Sequence, residues 1–455
     1  MQAFEKVLGA IGDIVWGPPL LILIVGTGIY LTFKLGFLQI RLLPYSLKLA
    51  FSKSQDKNSE GDISHFKALM TAMAATVGVG NIVGVATAVV IGGPGALFWM
   101  WMSAFFGMAT KYGEAILAVK YRVKDANGQM AGGPMYYIEQ GLKMKWLAVL
   151  FAIFGSIAAF GIGNGTQSQA VAGVVLQTWN IPTWITGVIL MVVAALVILG
   201  GIKSIGNVTA FFVPIMAAFY LIAGLIIILT NLPAIPAALG LVFSDAFTGS
   251  AVAGGAIGTV IRYGVARGVF SNEAGLGSAP IAAAAAKTDM PGRQALVSMT
   301  QVFIDTLIIC SITGLTIVMS GLYDSGLEGS ALTAAAFSEF LGGAGPVVVS
   351  IGLIFFASST IFGWAYYGEK CFQYLFKNPK AIYIYRILFV LVVPIGATAS
   401  LDIVWTFSDV ANGMMAIPNL IGLLGLSGVI ALETKKILAK IKEEKNGVTS
   451  SDEAA

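Results

Sequence analysis

The chain consists of long apolar segments that are separated by shorter polar connections. About 20 helical residues are enough to cross the hydrocarbon core of a bilayer, which is about 30 Å thick. Only 11% of the 455 residues are charged, whereas about a quarter of the residues in a soluble protein are charged. The sequence therefore predicts an all-α polytopic membrane protein with a single transmembrane domain, 1–455, that lies in a lipid bilayer.

Eleven segments are apolar enough and long enough to be predicted as transmembrane helices. Their approximate cores are 16–35, 66–91, 94–119, 146–173, 182–200, 207–230, 251–285, 294–320, 345–374, 381–398 and 402–432.

Basic residues mark alternate connections between these helices. The connections 34–65 and 111–145 are rich in Lys and Arg, and Lys111 is counted in the second, whereas 231–250 contains neither residue type. Because basic residues are retained on the cytoplasmic side, the N-terminus is predicted to lie outside the cell membrane and the C-terminus inside. Residues 433–455 then form a charged cytoplasmic tail, which we expect to be a solvated helix that frays.

The second predicted helix contains the run AATVGVGN, residues 74–81, at its centre. Glycine and β-branched residues are poor helix formers, so this run favours an unwound backbone. In lipid, unwound backbone leaves N–H and C=O groups unpaired at a cost of several kcal/mol each. A break is therefore expected only where protein, water or a ligand supplies partners for these groups.

The seventh predicted helix, 251–285, contains a second break. Polar residues at 271–273 are followed by Gly275 and Gly277, and then by Pro280. This pattern predicts two half-helices that are joined by an extended turn, with Pro280 in the first turn of the second half.

The two breaks divide the chain into similar halves. Helices two to six, 66–230, and helices seven to eleven, 251–432, form two five-helix repeats of opposite topology, and helix 16–35 lies outside them. Inverted repeats that each open with a broken helix are typical of secondary transporters, which bind their substrate between the breaks. The alternative is that the glycines serve only close helix packing.

The ends of half-helices suit a zwitterion and a cation. Free N–H groups favour a carboxylate, and free carbonyls favour an ammonium group or a small hard cation. An enzyme is excluded by the single histidine, His65, and by the lack of a zinc motif, a nucleophile–histidine arrangement or a phosphate-binding loop. A channel would instead need a repeated filter or a ring of charges.

Three motifs resemble those of the alanine or glycine:cation symporter family, and the resemblance covers essentially the whole chain. They are GGPGALFWMWMSAFFG at 92–107, GGPMYYIE at 132–139 and ARGVFSNEAGLGSAP at 266–280. The run at 74–81 resembles the unwound first core helix of the leucine-transporter fold. The resemblance implies a symporter that imports alanine or glycine with sodium by alternating access. We expect no nucleic-acid partner. The resemblance leaves the oligomeric state open.

The resemblance also implies site residues on the second and ninth helices. Substrate-binding residues are Thr76, Gly78, Val79 and Gly80. Asn81 either binds a second cation or stabilises the turn. Sodium ligands are the carbonyls of Ala74 and Val77 with two of the three hydroxyls of Ser358, Ser359 and Thr360, in a register that is ambiguous by one residue.

Further substrate contacts are implied on the other helices. The opposite wall consists of Ser271, Asn272, Gly275 and Gly277, where Asn272 either contacts the ligand or caps the second half-helix. Gln167 and Gln169 reach the substrate or link helices, and Trp364 closes the pocket or lies in the core.

Charged residues at membrane depth are costly and mark functional sites. We expect Arg262 and Glu273 to pair with opposite charges and to act in gating. Asp305 is the candidate for the alternative mechanism, a proton-coupled transporter of a different neutral amino acid.

Overall fold

In a computed structural model, residues 2–52, 59–125, 127–247 and 258–452 are described, and they fold mostly into helices. The helices in the first part of the chain are α1 (Gln2–Val15), α2 (Pro18–Lys34), α3 (Leu38–Arg41), α4 (Leu43–Ala50), α5 (His65–Thr76), α6 (Val85–Gly92), α7 (Ala96–Lys120), α8 (Pro134–Gly141), α9 (Lys145–Phe160), α10 (Thr166–Trp179), α11 (Thr183–Ile198), α12 (Gly201–Thr230) and α13 (Ile235–Ala246).

The helices in the second part are α14 (Thr259–Asn272), α15 (Pro280–Ala284), α16 (Pro291–Val302), α17 (Ser311–Ser320), α18 (Gly329–Leu341), α19 (Ala344–Phe376), α20 (Pro379–Thr398), α21 (Leu401–Gly425) and α22 (Ser427–Asp452). Wider π-helical turns occur at Gly80–Gly84, Gly161–Gly165 and Phe303–Cys310, and short 3-10 turns occur at Leu232–Ala234 and Leu322–Asp324.

A small antiparallel hairpin joins β1 (Val123–Lys124) to β2 (Met130–Ala131) between α7 and α8. The predicted all-α class still describes the fold, and this hairpin is a local addition to it. Two residue pairs make the hairpin, and a strand pair this short carries too little sequence pattern to be predicted.

Six helices of the described chain are long and apolar enough to cross a bilayer, or up to eight when each of two bent pairs counts as one span. The predicted count of eleven is higher. One reason is that α11 has only 16 residues. Another is that α7, although it has 25 residues, carries Lys111 and Glu114 in its length.

The first predicted break is confirmed. The axes of the helices His65–Thr76 and Gly80–Gly92 differ by 52°. Ser64 caps the start of α5 by accepting a hydrogen bond of 3.2 Å from the Lys67 amide. The bend lies at the other end of α5, in the run that contains Gly78 and Gly80.

The second predicted break is also confirmed within the described residues. Helix α14 ends at Asn272, α15 begins at Pro280, and Pro280 lies in the first turn of α15 as expected. The first seven residues of the predicted helix, 251–257, lie outside the described residues.

Several predicted boundaries are corrected. The connection 231–250 contains a helix, α13, whose apolar residues pack against α7 and α17. The predicted last span 402–432 ends earlier, because α21 stops at Gly425 and the chain turns by 63° into α22. The predicted tail is therefore helical from Ser427, and its last residues, 453–455, lie outside the described part.

Helix α7 lies at the centre of the fold and packs against α14 and α16. Lys111 belongs to this helix and is 1% exposed, so its assignment to a basic cytoplasmic connection is wrong. Its counter-charge lies one helical turn away, at Glu114. Such pairing allows two charged residues to be buried in the membrane-spanning part of the protein.

Candidate functional site

At the first break, backbone amides lose their partners within the helix. Side chains accept hydrogen bonds from two of these amides. Helix α5 ends at Thr76, and Val77 has extended backbone angles. The Gly78 amide donates to Asn81 Oδ1 at 2.9 Å, and the Val79 amide donates to Gln167 Oε1 at 3.2 Å. Asn81 therefore braces the turn, and Gln167 reaches the break from α10.

Glycine is required at this break because other elements approach the backbone closely. A Cβ atom on Gly78 would overlap the hydroxyl of Thr360, and it would lie 3.0 Å from Gln167 Oε1. A Cβ atom on Gly80 would lie 3.0 Å from the Cα atom of Ser271. The first break therefore touches both α19 and the end of α14.

The side chain of Thr76 turns back into its own helix. Its hydroxyl donates to the carbonyl of Ala72 at 3.0 Å. The groups that Thr76 presents at the break are therefore its backbone atoms.

Two hydroxyls of α19 meet two carbonyls of the first break. Ser359 Oγ lies 3.3 Å from the carbonyl oxygen of Ala74, and Thr360 Oγ1 lies 3.4 Å from that of Val77. In the described chain these contacts come from Ser359 and Thr360 and not from Ser358. The hydroxyls of α19 that face these carbonyls are therefore those of Ser359 and Thr360.

The second break runs through left-handed backbone. Glu273, Gly275 and Gly277 have φ angles of 58°, 95° and 82°. Asn272 Oδ1 accepts a hydrogen bond of 2.9 Å from the amide of Ala274, two residues later. Asn272 therefore stabilises the turn directly after α14 and does not cap α15.

A carboxylate from α7 occupies the amides of this second break. Glu114 Oε1 accepts hydrogen bonds of 3.0 Å from the Gly275 amide and 3.2 Å from the Gly277 amide. Asn419 Nδ2 donates to the same oxygen at 2.7 Å, and Lys111 Nζ lies 3.7 Å from Oε2. The protein itself thus supplies the anion that the free N–H groups of this turn attract.

Asp305 connects the two breaks. Its Oδ1 atom accepts a hydrogen bond of 2.8 Å from Asn81, and its Oδ2 atom accepts hydrogen bonds of 2.8 Å from Ser271 and 2.7 Å from Thr306. The carboxylate is fully buried. It lies on a π-helical turn, which widens the helix where the two broken spans meet.

Glu273 links the second break to α19. Trp364 Nε1 donates to Glu273 Oε1 at 2.7 Å, and Ser278 Oγ donates to Oε2 at 2.6 Å. Lys111 Nζ donates to the backbone carbonyl of Glu273 at 3.0 Å. Trp364 also packs against Gly163, where a Cβ atom would overlap the tryptophan side chain. These bonds fix Trp364 one turn beyond the hydroxyls of α19.

Gln169 lines a cavity of about 350 Å³ together with Arg267 and Trp405, and Val83, in the turn of the first break, lines the same cavity. Arg267 donates to both carboxylate oxygens of Asp409 at 3.1 and 2.6 Å. Phe270 stacks on Trp405 with ring centroids 4.9 Å apart.

Arg262 forms an ion pair of 2.7 Å with Asp13 of α1, as expected for a charge on the outer part of α14. Glu273 receives neutral donors on its carboxylate, and the charged group beside it is the Lys111 ammonium, which donates to its backbone carbonyl.

Sequence reasoning missed the charged pair on α7 and Asn419 on α21. The spacing of Lys111 and Glu114 by three residues places them on one helical face, and this signal was available. Asn419 is 305 positions from Glu114, its partner, so no local pattern points to it. Thr306 was missed because a threonine in an apolar helix is common and mostly bonds within its own helix.

Comparison with known proteins identifies the family of the chain. The profile of the family described as "Sodium:alanine symporter family" matches residues 1–451. The sodium/alanine symporter AgcS of Methanococcus maripaludis is 60% identical over 440 residues, which is 95% of this chain and 97% of AgcS. The probable sodium/glutamine symporter GlnT of Bacillus subtilis is 37% identical over 99% of this chain and 94% of its own length.

A solved structure shows the same fold. The crystal structure of MhsT in complex with L-phenylalanine has a TM-score of 0.63 and 14% sequence identity, and the match covers 83% of this chain and 93% of MhsT. The fold is the leucine-transporter fold that the sequence resemblance implied. Because the family profile and a relative at 60% identity both span almost the whole chain, this protein is a transporter and not an enzyme, and it belongs to the sodium:alanine symporter family.

Proposed function

We propose that this symporter imports a small neutral amino acid, alanine or glycine, together with sodium, and that both bind at the first helix break. The observation that carries the proposal is the meeting of the Ala74 and Val77 carbonyls with the hydroxyls of Ser359 and Thr360. Four neutral oxygens in a buried setting suit a small hard cation.

The spacing of these oxygens supports a cation site. Oxygen ligands about 2.4 Å from an ion, a typical distance for calcium, lie about 3.4 Å apart when they are neighbours in an octahedral shell. The Ser359–Ala74 and Thr360–Val77 oxygens are 3.3 and 3.4 Å apart. Both hydroxyls also lie within 3.0 Å of the Phe356 carbonyl, to which they donate. Their lone pairs are then available to a cation.

The surroundings of the break support a small substrate. The backbone of Thr76, Gly78, Val79 and Gly80 offers N–H and C=O groups to a zwitterion, and the close neighbours of both glycines leave little room for a side chain. Ser271 completes this wall. Gly275 and Gly277 form the opposite side through the path of their backbone. Their amides are bound to Glu114, so these amides do not bind the substrate.

The polar side chains around the break have distinct proposed roles. Gln167 positions the Val79 amide, and Asn81 positions the Gly78 amide. Asn272 shapes the second break, and Trp364 closes the site on the α19 side. Gln169 contacts substrate only on its way in, because it lines the cavity next to Arg267.

For the membrane arrangement, eleven spans with a 5+5 inverted repeat after an extra N-terminal helix fit the chain best. The first repeat is 66–230 and the second is 251–432, with the N-terminus outside and 433–455 in the cytoplasm. Support comes from the two broken helices and from the basic connections. The spans that contain α5 and α14 rock against α10 and α19.

The test is uptake of radiolabelled alanine, glycine and glutamine into proteoliposomes under a sodium gradient, a proton gradient or neither. Sodium-driven uptake of alanine or glycine supports the proposal. Uptake driven by protons alone, or a preference for glutamine, as the name of GlnT would suggest, contradicts it. Sodium flux without amino acid would indicate a channel.

A further inference from the structure

Two backbone segments join the inner ends of both broken spans. Residues 60–63 precede α5, and residues 285–288 follow α15. The amides of Asp62 and Ile63 donate to the Ala285 carbonyl at 2.9 and 3.2 Å, and the Lys287 amide donates to the Ile63 carbonyl at 2.7 Å. We call these paired segments, 60–63 and 285–288, the latch.

The latch includes a parallel β-bridge between Ile63 and Ala286. Gly61 allows this approach: a Cβ atom there would overlap the backbone of Lys287, and its φ of +153° disfavours other residues. The Thr288 amide donates to the Glu60 carbonyl at 3.2 Å and extends the pairing. The two broken spans are therefore fastened to each other at this end of the bundle.

Arg122 crosses both segments of the latch. Its guanidinium donates to the carbonyls of Ala284 at 3.0 Å and Ala286 at 2.7 Å, and also to those of Glu60 at 2.9 Å and Thr288 at 2.8 Å. A planar guanidinium with five donors can hold four carbonyls at once, which an ammonium group with three donors cannot do.

The hairpin that follows Arg122 ties the latch to α19. The Met130 amide donates to Asp62 Oδ2 at 2.8 Å. Asp125 accepts hydrogen bonds of 2.8 Å from Lys370 and 3.0 Å from Gln373, which both lie on α19. Helix α19, which carries Ser359 and Thr360, is thus joined to the latch, and through it to α5 and α15 of the two broken spans.

We propose that Arg122, the hairpin and the latch form the cytoplasmic gate, and that Arg122 is the residue that holds it closed. The proposal rests on the proposed function for its orientation and for alternating access. For the site to open at this end, the inner ends of α5 and α15 must separate. That separation breaks the backbone hydrogen bonds of the latch and the four bonds of Arg122 together.

Arg122 differs from the residues of the binding site in how it acts. It touches neither break, so it positions the gate and does not bind substrate or sodium. Its partners are neutral carbonyls, and these can bond to water when the gate opens, so opening leaves no buried charge unpaired. The latch is therefore suited to repeated opening.

The first experiment locks the gate. Partners in a parallel β-bridge are close enough for a disulfide, so the double variant I63C/A286C is oxidised and reduced. The native cysteines Cys310 and Cys371 are buried and remain in place, and the single variants I63C and A286C are the matched controls. Uptake into proteoliposomes and sodium-dependent alanine binding are measured in each state.

Oxidation of I63C/A286C is expected to lower uptake at least about tenfold while alanine binding is kept, and reduction restores uptake. Undiminished uptake by the oxidised double variant contradicts the proposal that the latch must open during transport. A wild type without sodium-dependent alanine uptake instead contradicts the proposed function, so the two failures are distinguishable.

The second experiment weakens the gate. Amide hydrogen exchange of residues 60–64 and 284–288 is compared between wild type, R122Q and R122K. The matched control is K145A, which removes an exposed charge at the start of α9, outside the hairpin and the latch. We expect exchange in R122Q to be about tenfold faster in these two segments, with R122K intermediate and K145A unchanged.

Retained alanine binding shows that R122Q is folded. Wild-type exchange together with wild-type uptake in R122Q overturns the role of Arg122. If R122Q does not fold, the exchange rates of R122K are compared with those of the wild type instead. The disulfide experiment tests independently whether the latch must open for transport.

Discussion

Asn81 Nδ2 donates a hydrogen bond of 2.8 Å to Asp305 Oδ1, and Asn81 Oδ1 accepts one of 2.9 Å from the Gly78 amide. One asparagine therefore connects a freed backbone amide of the first break to the carboxylate that also binds Ser271 at the second break. The side chains of Asn81, Asp305 and Ser271 therefore form a continuous chain of hydrogen bonds between the two breaks.

The first prediction concerns Asp305. In D305N one carboxylate oxygen becomes an amide donor, so the hydroxyls of Ser271 and Thr306 lose their shared acceptor or Asn81 loses its own. We expect uptake to fall by at least about tenfold, because a hydrogen bond to a charged group contributes about 1.5–3 kcal/mol. The control is D324N, which changes an exposed carboxylate in the turn after α17. Wild-type uptake by D305N would rule out a coupling role for this carboxylate.

The second prediction concerns the hydroxyls of α19. S359A and T360A each remove one proposed sodium ligand, so the sodium concentration for half-maximal uptake should rise about tenfold in each, since a lost bond to a charged group costs at least 1.4 kcal/mol or so. T360S keeps the hydroxyl and should retain most of the affinity. S358A is the matched control, because Ser358 does not contact the two carbonyls in the described chain. Equal effects of S358A and S359A would contradict the register.

The third prediction concerns Gly78. In G78A the new methyl group overlaps the hydroxyl of Thr360, so we expect loss of uptake and destabilisation of about 1–3 kcal/mol. Thermal unfolding of the purified protein measures the second effect. The control is G240A on α13, where a Cβ atom meets nothing within 4 Å. A G78A protein that transports normally would show that the backbone does not pack against α19 as described.

The fourth prediction concerns the buried pair Lys111–Glu114. E114Q leaves the ammonium of Lys111 without its counter-charge at 1% exposure, and breaking a buried pair in this way costs about 3–5 kcal/mol. The double variant K111M/E114Q should be less destabilised than the sum of its single variants. Thermal unfolding of all three measures this coupling. Strict additivity would mean that the two charges do not stabilise each other.

Local residue patterns predict the breaks well but not the partners that the breaks acquire. The glycines of 74–81 and Pro280 disfavour continuous helix whatever surrounds them, so both breaks could be located from sequence. The binding of Glu114 to the amides of Gly275 and Gly277 depends on how α7 packs against α14, which no local pattern encodes. The sequence places both glycines in the wall opposite the first break, and the structure shows that their amides donate to Glu114.

The α19 hydroxyls show the same limit at finer scale. Three consecutive hydroxyls at 358–360 identify the region, but the rotation of α19 decides which of them face the first break. A helix turns by about 100° per residue, so an error of one residue changes the ligand set. The π-turn at Phe303–Cys310 and the short hairpin carry weaker signals still, because tertiary contacts stabilise them.

The central claim is that sodium and substrate bind together at the first break, and their coupling is directly measurable. Alanine affinity of the purified protein is determined by calorimetry across a sodium titration, with potassium keeping the ionic strength constant. We predict that sodium raises alanine affinity at least about tenfold and, by thermodynamic reciprocity, that alanine raises sodium affinity by the same factor. Alanine binding with the same affinity in sodium and in potassium would contradict the account.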